Sequence, residues 1–489
     1  MTDLDRLVNA CLLPVVPCAE AQQWVPKALE AGLAGVVLIP GAQGEGAAAG
    51  VAATARALRA AYPDMLIALD EEGGDVTVLE HASGSSYPGG LALGTADDLA
   101  LTGRVATSIA LDLLAAGANL ALAPSLDVNS EDANPVIGVR AFGREPELVS
   151  RHGAAFITAL QAAGVASAAK HYPGHGATSV DSHLGLPVVH CDRDTFERRE
   201  LAPFAAAVTA GVRCLMTAHV LFPELDPDQP ATLSRLLLHD LLRGGLGFEG
   251  VLLNTVLAME AGRPAEETGA LAVQALAAGS DLLLVPPGNG EEDCAIVRAA
   301  VVRAIRAGEL DLARIEQAAA RVAALALPAP APAAGPVGGH DRSVGLEAAR
   351  RAVRASGQVG LTAPATVIDL GSGPHSVAAA ASWSLAAHLP AAVVSRSVSV
   401  GRDGPTVESV REQAADGPVV VAVRDAHRTP WQQAWLAGFL AARPDAVTVA
   451  LGLPLDADLA PGPAIRSYGS APVNARAAAE LLFPWHAPR

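Results

Sequence analysis

Short apolar runs alternate with Ala/Leu/Arg-rich helical stretches from the N-terminus to about residue 325, and this alternation narrows the fold more than any other feature. The strand-like runs are Gly35–Ile39, Leu66–Asp70, Leu120–Asp127, Ala166–His171, Cys214–His219, Gly250–Thr255 and Asp281–Val285. Between them lie helical patterns such as Asp98–Ala116, Glu147–Ala163 and Thr195–Ala210. Repeated strand–helix units of this kind build a parallel α/β fold, and about seven or eight of them fit a (β/α)8 TIM-like barrel. A doubly wound open sheet is the alternative the pattern leaves open.

The alternation pauses at Pro328-Ala329-Pro330-Ala331-Pro332-Ala333-Ala334-Gly335-Pro336, a Pro/Ala linker. Beyond it, Ala365–Leu370, Ala391–Val394, Val419–Val423 and Ala446–Gly452 read as strands, with a helix over Pro430–Ala442 that has proline at its tolerated first turn. These expectations divide the chain into a barrel domain (1–327), a linker (328–340) and a smaller α/β sandwich domain (341–489) whose sheet is covered on both faces. Gly371-Ser372-Gly373-Pro374-His375 reads as a turn, or as the lining of a cleft.

Composition excludes several classes. With 51% hydrophobic and 17% charged residues the chain has the makings of a packed core. A formal net charge of −17 argues against a nucleic-acid partner, which needs a basic face. The cysteines Cys11, Cys18, Cys191, Cys214 and Cys294 are odd in number and lack a CxxC pair. They fit reduced thiols of a cytoplasmic protein better than a disulfide framework or a zinc site. No basic n-region opens the chain and no uninterrupted apolar run of membrane-spanning length occurs, so neither a signal peptide nor a membrane partner is expected. Lysine occurs only at Lys27 and Lys170 in an arginine-rich chain, which draws attention to Lys170.

In a barrel, functional groups gather where strands end and loops begin. Asp70 ends one run and leads into Glu71-Glu72-Gly73-Gly74; Asp127 ends the next; Arg140 follows in Asn134-Pro135-Val136-Ile137-Gly138-Val139-Arg140. Lys170 and His171 end another run, and His219 the one after. Carboxylates such as Asp70 accept from sugar hydroxyls, while Arg140 and Lys170 donate, so the set suits a polyhydroxylated ligand. Taken singly, each of these residues reads equally as an ion pair at a strand end. His171, His175 and His183 offer imidazoles for a metal, but Pro173 and Gly174 break any helical i,i+4 pair and no cysteine or carboxylate completes a known spacing. Pro173-Gly174-His175-Gly176 lacks the Gly-Lys-Ser/Thr ending of a phosphate loop. No metal and no cofactor is expected.

Lys170-His171-Tyr172-Pro173-Gly174-His175-Gly176, followed by Asp181-Ser182-His183, resembles the signature of glycoside hydrolase family 3 β-N-acetylglucosaminidases of the NagZ type. Ala123-Pro124-Ser125-Leu126-Asp127, Asn134–Arg140 with Ala141-Phe142-Gly143, Met216-Thr217-Ala218-His219 and Pro230-Ala231-Thr232-Leu233-Ser234 resemble it too, in the family's order. The resemblance covers about residues 30–325; beyond the linker only the two-domain layout resembles some members. It implies that Asp70, Asp127, Arg140, Lys170 and His171 hold the sugar, with His219, Asn254 and Met259 also lining its site. It implies further that His183 is the general acid/base and that Asp181 orients it. An imidazole beside a carboxylate suits that task, giving a proton to the leaving oxygen and later taking one from water. The implied ligand is a small carbohydrate, a β-N-acetylglucosaminide or muropeptide fragment of cell-wall recycling; oligomeric state stays open.

The match breaks at the nucleophile. A retaining glycosidase places a carboxylate opposite the acid/base. The family motif runs Gly-Phe-x-Gly, three apolar residues, Ser/Thr, Asp, then Leu and Met. Here Gly247-Phe248-Glu249-Gly250-Val251-Leu252-Leu253-Asn254-Thr255 puts Thr255 at the aspartate position, with Leu257 and Met259 in register. A neutral hydroxyl offers no charge to an oxocarbenium-like transition state. After Glu72-Gly73-Gly74 the family has Arg-Val-x-Arg, where this chain has Asp75-Val76-Thr77-Val78. Three expectations follow: a sugar-binding pseudoenzyme acting as sensor or scaffold; an enzyme using another route, either substrate-assisted with Asn254 or Glu260 helping or an elimination driven by His183; or a hydrolase with a displaced nucleophile. The second domain acting as an interaction module is a competing class.

Overall fold

The structure, a computed structural model, describes residues 1–21, 23–41, 47–181, 185–326, 338–371, 384–414 and 417–484. The Pro/Ala linker, His183 and the 372–375 part of the glycine-rich segment lie outside the described residues.

Two compact units interleave along the chain. The first comprises residues 1–72, 102–137 and 144–341; the second comprises 73–101, 138–143 and 342–489. Close packing explains why a segment from the middle of the chain belongs with its end. Helix Ser343–Ala352 lies so near the 86–87 backbone that a Cβ on Gly345 would stand 1.9 Å from the Ser86 carbonyl oxygen.

The first unit is a closed barrel of parallel strands: β1 Leu12–Pro17, β2 Gly35–Ile39, β3 Leu66–Leu69, β4 Leu120–Ala121, β5 Ala166–Tyr172, β6 Cys214–Thr217, β7 Val251–Asn254 and β8 Leu282–Val285. Neighbours pair in chain order, and β8 closes on β1 through Leu12↔Leu283, Leu13↔Leu284 and Pro14↔Val285. Closure decides between the two architectures left open by the sequence in favour of the barrel. Alternate residues, among them Leu13, Val37, Leu66, Leu120, Ala168, Met216, Leu253 and Leu282, point inward into one apolar core, so the interior is filled and function is confined to the rim.

Several expected elements are corrected. Strand β1 is missing from the expectation, because Pro14 and Pro17 cannot donate to a ladder and so disguise a central strand. The expected strand Leu120–Asp127 is regular only to Ala121; beyond Pro124 the chain rejoins the sheet as a bridge between Ser125 and Lys170. The expected helix Thr195–Ala210 carries a π-helical turn over Phe196–Leu201 before Ala202–Thr209. Helix Leu99–Ala116 is long and apolar enough to cross a membrane, yet it is mostly buried in the fold and carries Arg104 and Asp112.

The second unit holds a six-stranded sheet in the order β9 (Arg354–Ser356), β14 (Ala464–Arg466), β13 (Val447–Ala450), β12 (Val419–Val423), β10 (Ala365–Leu370), β11 (Val394–Val400). Only the β9–β14 pair is antiparallel. Val367, Val420, Ala422 and Val447 face one apolar cluster while Ile368, Val419, Val421 and Val423 face another, so both faces are covered. The expected strand Ala391–Val394 is a 3-10 turn over Ala391–Val393; the strand begins at Val394 and runs to Val400. It is an edge strand with Ser395, Arg396 and Ser397 exposed, and that polarity hides it. Asp75, where the family carries arginine, is buried here and accepts from Arg424 Nη2 at 2.6 Å and Ser470 Oγ at 2.8 Å.

Candidate functional site

The C-terminal ends of β4 and β5 are tied together by backbone. Lys170 N–H donates to the Pro124 carbonyl at 3.0 Å, and Leu126 N–H to the Lys170 carbonyl at 2.6 Å. That pairing brings Asp127 beside His171. Asp127 is fully buried and accepts from the His175 backbone N–H at 2.7 Å and Ser125 Oγ at 2.8 Å; its Oδ2 lies 2.7 Å from His171 Nδ1. Burial pushes its carboxyl up, but the His171 ring, His175 and the Ser125 hydroxyl outweigh burial and hold it well below the usual carboxylate range. Asp127 is therefore an anion whose oxygens organise the Lys170–Gly176 turn.

Lys170 is buried, and its ammonium lies 2.6 Å from Asp70 Oδ1 and 2.7 Å from Glu72 Oε1. Asp70 stands just past β3 and is 38% exposed, which makes it the carboxylate open to a ligand; Glu72 is 6% exposed and serves as the buried partner. His171 keeps an accessible edge at 16%. The strand-end residues Asp70, Lys170, Asp127 and His171 thus form an ion pair and a carboxylate–imidazole pair side by side on the rim of β3–β5, with donors and acceptors suited to hydroxyls.

The rim of β6–β7 is different. Thr255 follows β7, and its hydroxyl donates to the Thr217 carbonyl at 3.2 Å while its N–H donates to Thr217 Oγ1 at 3.1 Å. Among the described residues no carboxylate or imidazole bonds that hydroxyl. Asn254 is fully buried and committed: Nδ2 donates to the Thr232 carbonyl at 2.7 Å and Ser280 Oγ at 2.8 Å, and Oδ1 accepts from Val256 N–H at 2.9 Å. It holds the strand end with both amide hydrogens donated and no exposed surface. His219 places Nδ1 2.8 Å from Thr232 Oγ1 and Nε2 3.2 Å from Glu260 Oε1. Burial lowers the His219 pKa against the opposing pull of Glu260. Burial would raise Glu260, but the Arg263 guanidinium at 2.6 Å and His219 bring it below its ordinary value. Met259 is half-buried on the single turn Val256–Met259.

The remaining expected site residues are Arg140, Asp181 and His183. Arg140 is buried in the 3-10 turn Gly138–Arg140 of the second unit. Asp181 is half-buried and its carbonyl accepts from Gly185 N–H at 3.2 Å; its expected partner His183 is outside the described residues. No group of three His, Cys, Asp or Glu side chains with metal-binding geometry occurs among the described residues, and all five cysteines are free.

Sequence reasoning missed Glu72 and Glu200. Glu72 left a faint signal, a second acid beyond a strand-end aspartate. Glu200 left none, since an acid after Arg198 and Arg199 in a helical pattern reads as solvated surface.

This rim geometry sits in a chain whose residues 12–325 match the glycosyl hydrolase family 3 N-terminal domain. The chain belongs to glycosyl hydrolase family 3. Family 3 relatives include the beta-hexosaminidase A of Pseudoalteromonas piscicida, 39% identical over 243 residues, which are 45% of this chain and 40% of that protein. The beta-hexosaminidase of Nitrosomonas eutropha is 35% identical over 248 residues, 49% of this chain and 70% of that protein. The family 3 beta-N-acetylglucosaminidase of Paenibacillus sp. str. FPU-7 has a similar structure, with TM-score 0.88 and 31% identity over 100% of this chain and 98% of that one. Within this family 3 barrel the rim of β3–β5 carries charged side chains, while a neutral threonine follows β7.

Proposed function

We propose that this family 3 chain binds a terminal β-linked N-acetylglucosamine unit, as in an N-acetylglucosaminide or a muropeptide fragment, and that ordinary retaining hydrolysis is weak or lost. The sugar class is carried over from the beta-hexosaminidase and beta-N-acetylglucosaminidase relatives. Asp70, Lys170, Asp127 and His171 hold hydroxyls, and Asp181 with His183 form the retained proton-transfer pair. One observation carries the reading on activity: the Thr255 hydroxyl is spent on the Thr217 carbonyl, so nothing at that strand end delivers negative charge to the anomeric carbon.

The test compares binding and turnover. Calorimetry should detect N-acetylglucosamine, while an aryl β-N-acetylglucosaminide should release negligible phenol. Rapid turnover by the unaltered chain would overturn the reading.

The state of Glu260 favours a second reading, in which a displaced carboxylate acts. Glu260 is held in its charged form by Arg263 and His219 and remains 26% exposed. A 5-fluoro glycosyl trap followed by mass spectrometry decides it. An adduct on Glu260 supports the displaced nucleophile, and a clean chain after prolonged incubation counts against it.

A further inference from the structure

Glu200 is a fully buried carboxyl that no step of the proposed function uses. It lies in the π-helical turn Phe196–Leu201, where Phe196, Glu200 and Leu201 turn inward while Glu197 and Arg198 face solvent. Turns of this kind recur at functional sites because they redirect side chains. Its Oε1 accepts from Arg199 Nε at 2.5 Å. Its Oε2 has no hydrogen-bond partner among the described residues and faces the Lys170–Gly176 turn: a Cβ on Gly174, whose φ is +146°, would stand 2.3 Å from it. The next residue, His175, donates its N–H to Asp127 Oδ1, and Asp127 pairs with His171. Glu200 therefore backs the turn that builds half of the charged rim.

We propose that Glu200 is a positioning residue of the sugar site: while uncharged it seats the turn around Gly174 so that Asp127 and His171 keep their ligand-holding geometry, and its ionisation loosens that seat. The ligand in this statement rests on the sugar-binding reading; the geometry does not.

The electrostatics agree with the packing. Arg199 on the same turn is the cation in contact with Glu200, Asp127 acts on it from the loop after β4, and Cys191 lies near it on the preceding segment. His175 adjoins it through Gly174. Burial, against the pull of Arg199 and with the repulsion of Asp127, pushes the Glu200 carboxyl up to about 7. Ionisation releases the proton to solvent and places a second anion near the buried Asp127, which weakens the arrangement both anions share.

The test titrates N-acetylglucosamine into the full chain by calorimetry from about pH 5.5 to about pH 8.5, where an expected affinity loss of about tenfold corresponds to one pKa unit of coupling. In Glu200→Gln, which keeps the shape of the protonated acid, affinity should stay flat across that window. An unchanged inflection in Glu200→Gln would overturn the proposal. A ligand-free readout separates this from the sugar-binding reading. Carbon-13 signals of the Glu200 carboxyl and ring signals of His171 and His175 should step together in the wild type. Distinct midpoints would overturn the positioning role even if sugar binds. Coincident midpoints would support it even if sugar does not bind or Glu200→Gln does not fold.

Discussion

Two arcs of one barrel rim meet the same geometric demand in opposite ways. At the ends of β3, β4 and β5 the chain pairs Asp70 with Lys170 as ions and Asp127 with the His171 imidazole. Past β6 and β7 it places Thr217 and Thr255, which satisfy each other with neutral hydrogen bonds. Both arcs are hydrogen-bonded, but the first keeps exposed groups, Asp70 at 38% and His171 at 16%. The first is a partly open set of polar and charged groups, which the proposed function assigns to sugar hydroxyls. The second is a closed set of short contacts with no charge to give. On the proposed reading, the first arc holds the ligand while the second, where a family nucleophile would stand, is ordinary strand-end packing.

The largest expected effect comes from dismantling the charged rim. Lys170→Met removes the ammonium that Asp70 and Glu72 share, and breaking a buried pair costs about 3 to 5 kcal/mol, toward the lower end here because Asp70 is partly solvated. Denaturant unfolding and sugar calorimetry should both register the loss; a variant of unchanged affinity would reduce this rim to structural ion pairing. Next, Thr255→Asp should convert the neutral rim into a reactive one. A gain of about 100-fold in aryl glycoside hydrolysis, or about 2.7 kcal/mol of barrier, is expected, alongside a stability loss of about 1 to 3 kcal/mol as the Thr217 carbonyl loses its donor. No gain in rate would mean that the two rims have diverged in more than one group.

Smaller effects follow from titration. Asp127 is held below its ordinary value of 3.8, so its contribution is present above that pH and lost as pH falls further. Asp127→Asn should lose about 2 kcal/mol near neutrality, in keeping with charge-assisted hydrogen bonds, and should show less acid sensitivity than the wild type in melts below pH 4. Glu200 has the opposite sign. Its carboxyl is raised from 4.5 to about 7, so the relative stability it confers is full below the lower value and gone above the higher one. Glu200→Gln should therefore melt above the wild type at pH 8 and converge with it at pH 4.5. Equal melting temperatures at both would remove Glu200 as a titrating support of the charged rim.

How much of this was legible depended on the kind of interaction. Asp70, Asp127, Lys170 and His171 were readable because each polar residue interrupts an apolar run where a strand ends. Thr255 was readable as a break in an otherwise registered motif. Asn254 was read as lining the site, and its three structural hydrogen bonds show what local sequence does not carry: which partner a polar group finds. Glu72 and Glu200 escaped because their partners, Lys170 and the Gly174 turn, are distant in sequence. Strands β1 and β11 escaped because prolines and polar edge positions mimic loops. The interleaving of 73–101 and 138–143 with the second unit had no local signal, since it arises from close backbone packing such as that around Gly345.

The sequence by itself determined the period of strands and helices, the family, the polar residues at the strand ends and the absence of an acid at position 255. All of these are properties of residue type and spacing along the chain. Tertiary structure alone decided that the sheet closes between β8 and β1, that Lys170 is shared between two carboxylates, and that the Thr255 hydroxyl is spent on Thr217. It also decided that a buried acid backs the glycine turn. Each of these is a contact between residues far apart in sequence, fixed when the chain packs and most buried polar groups find a partner.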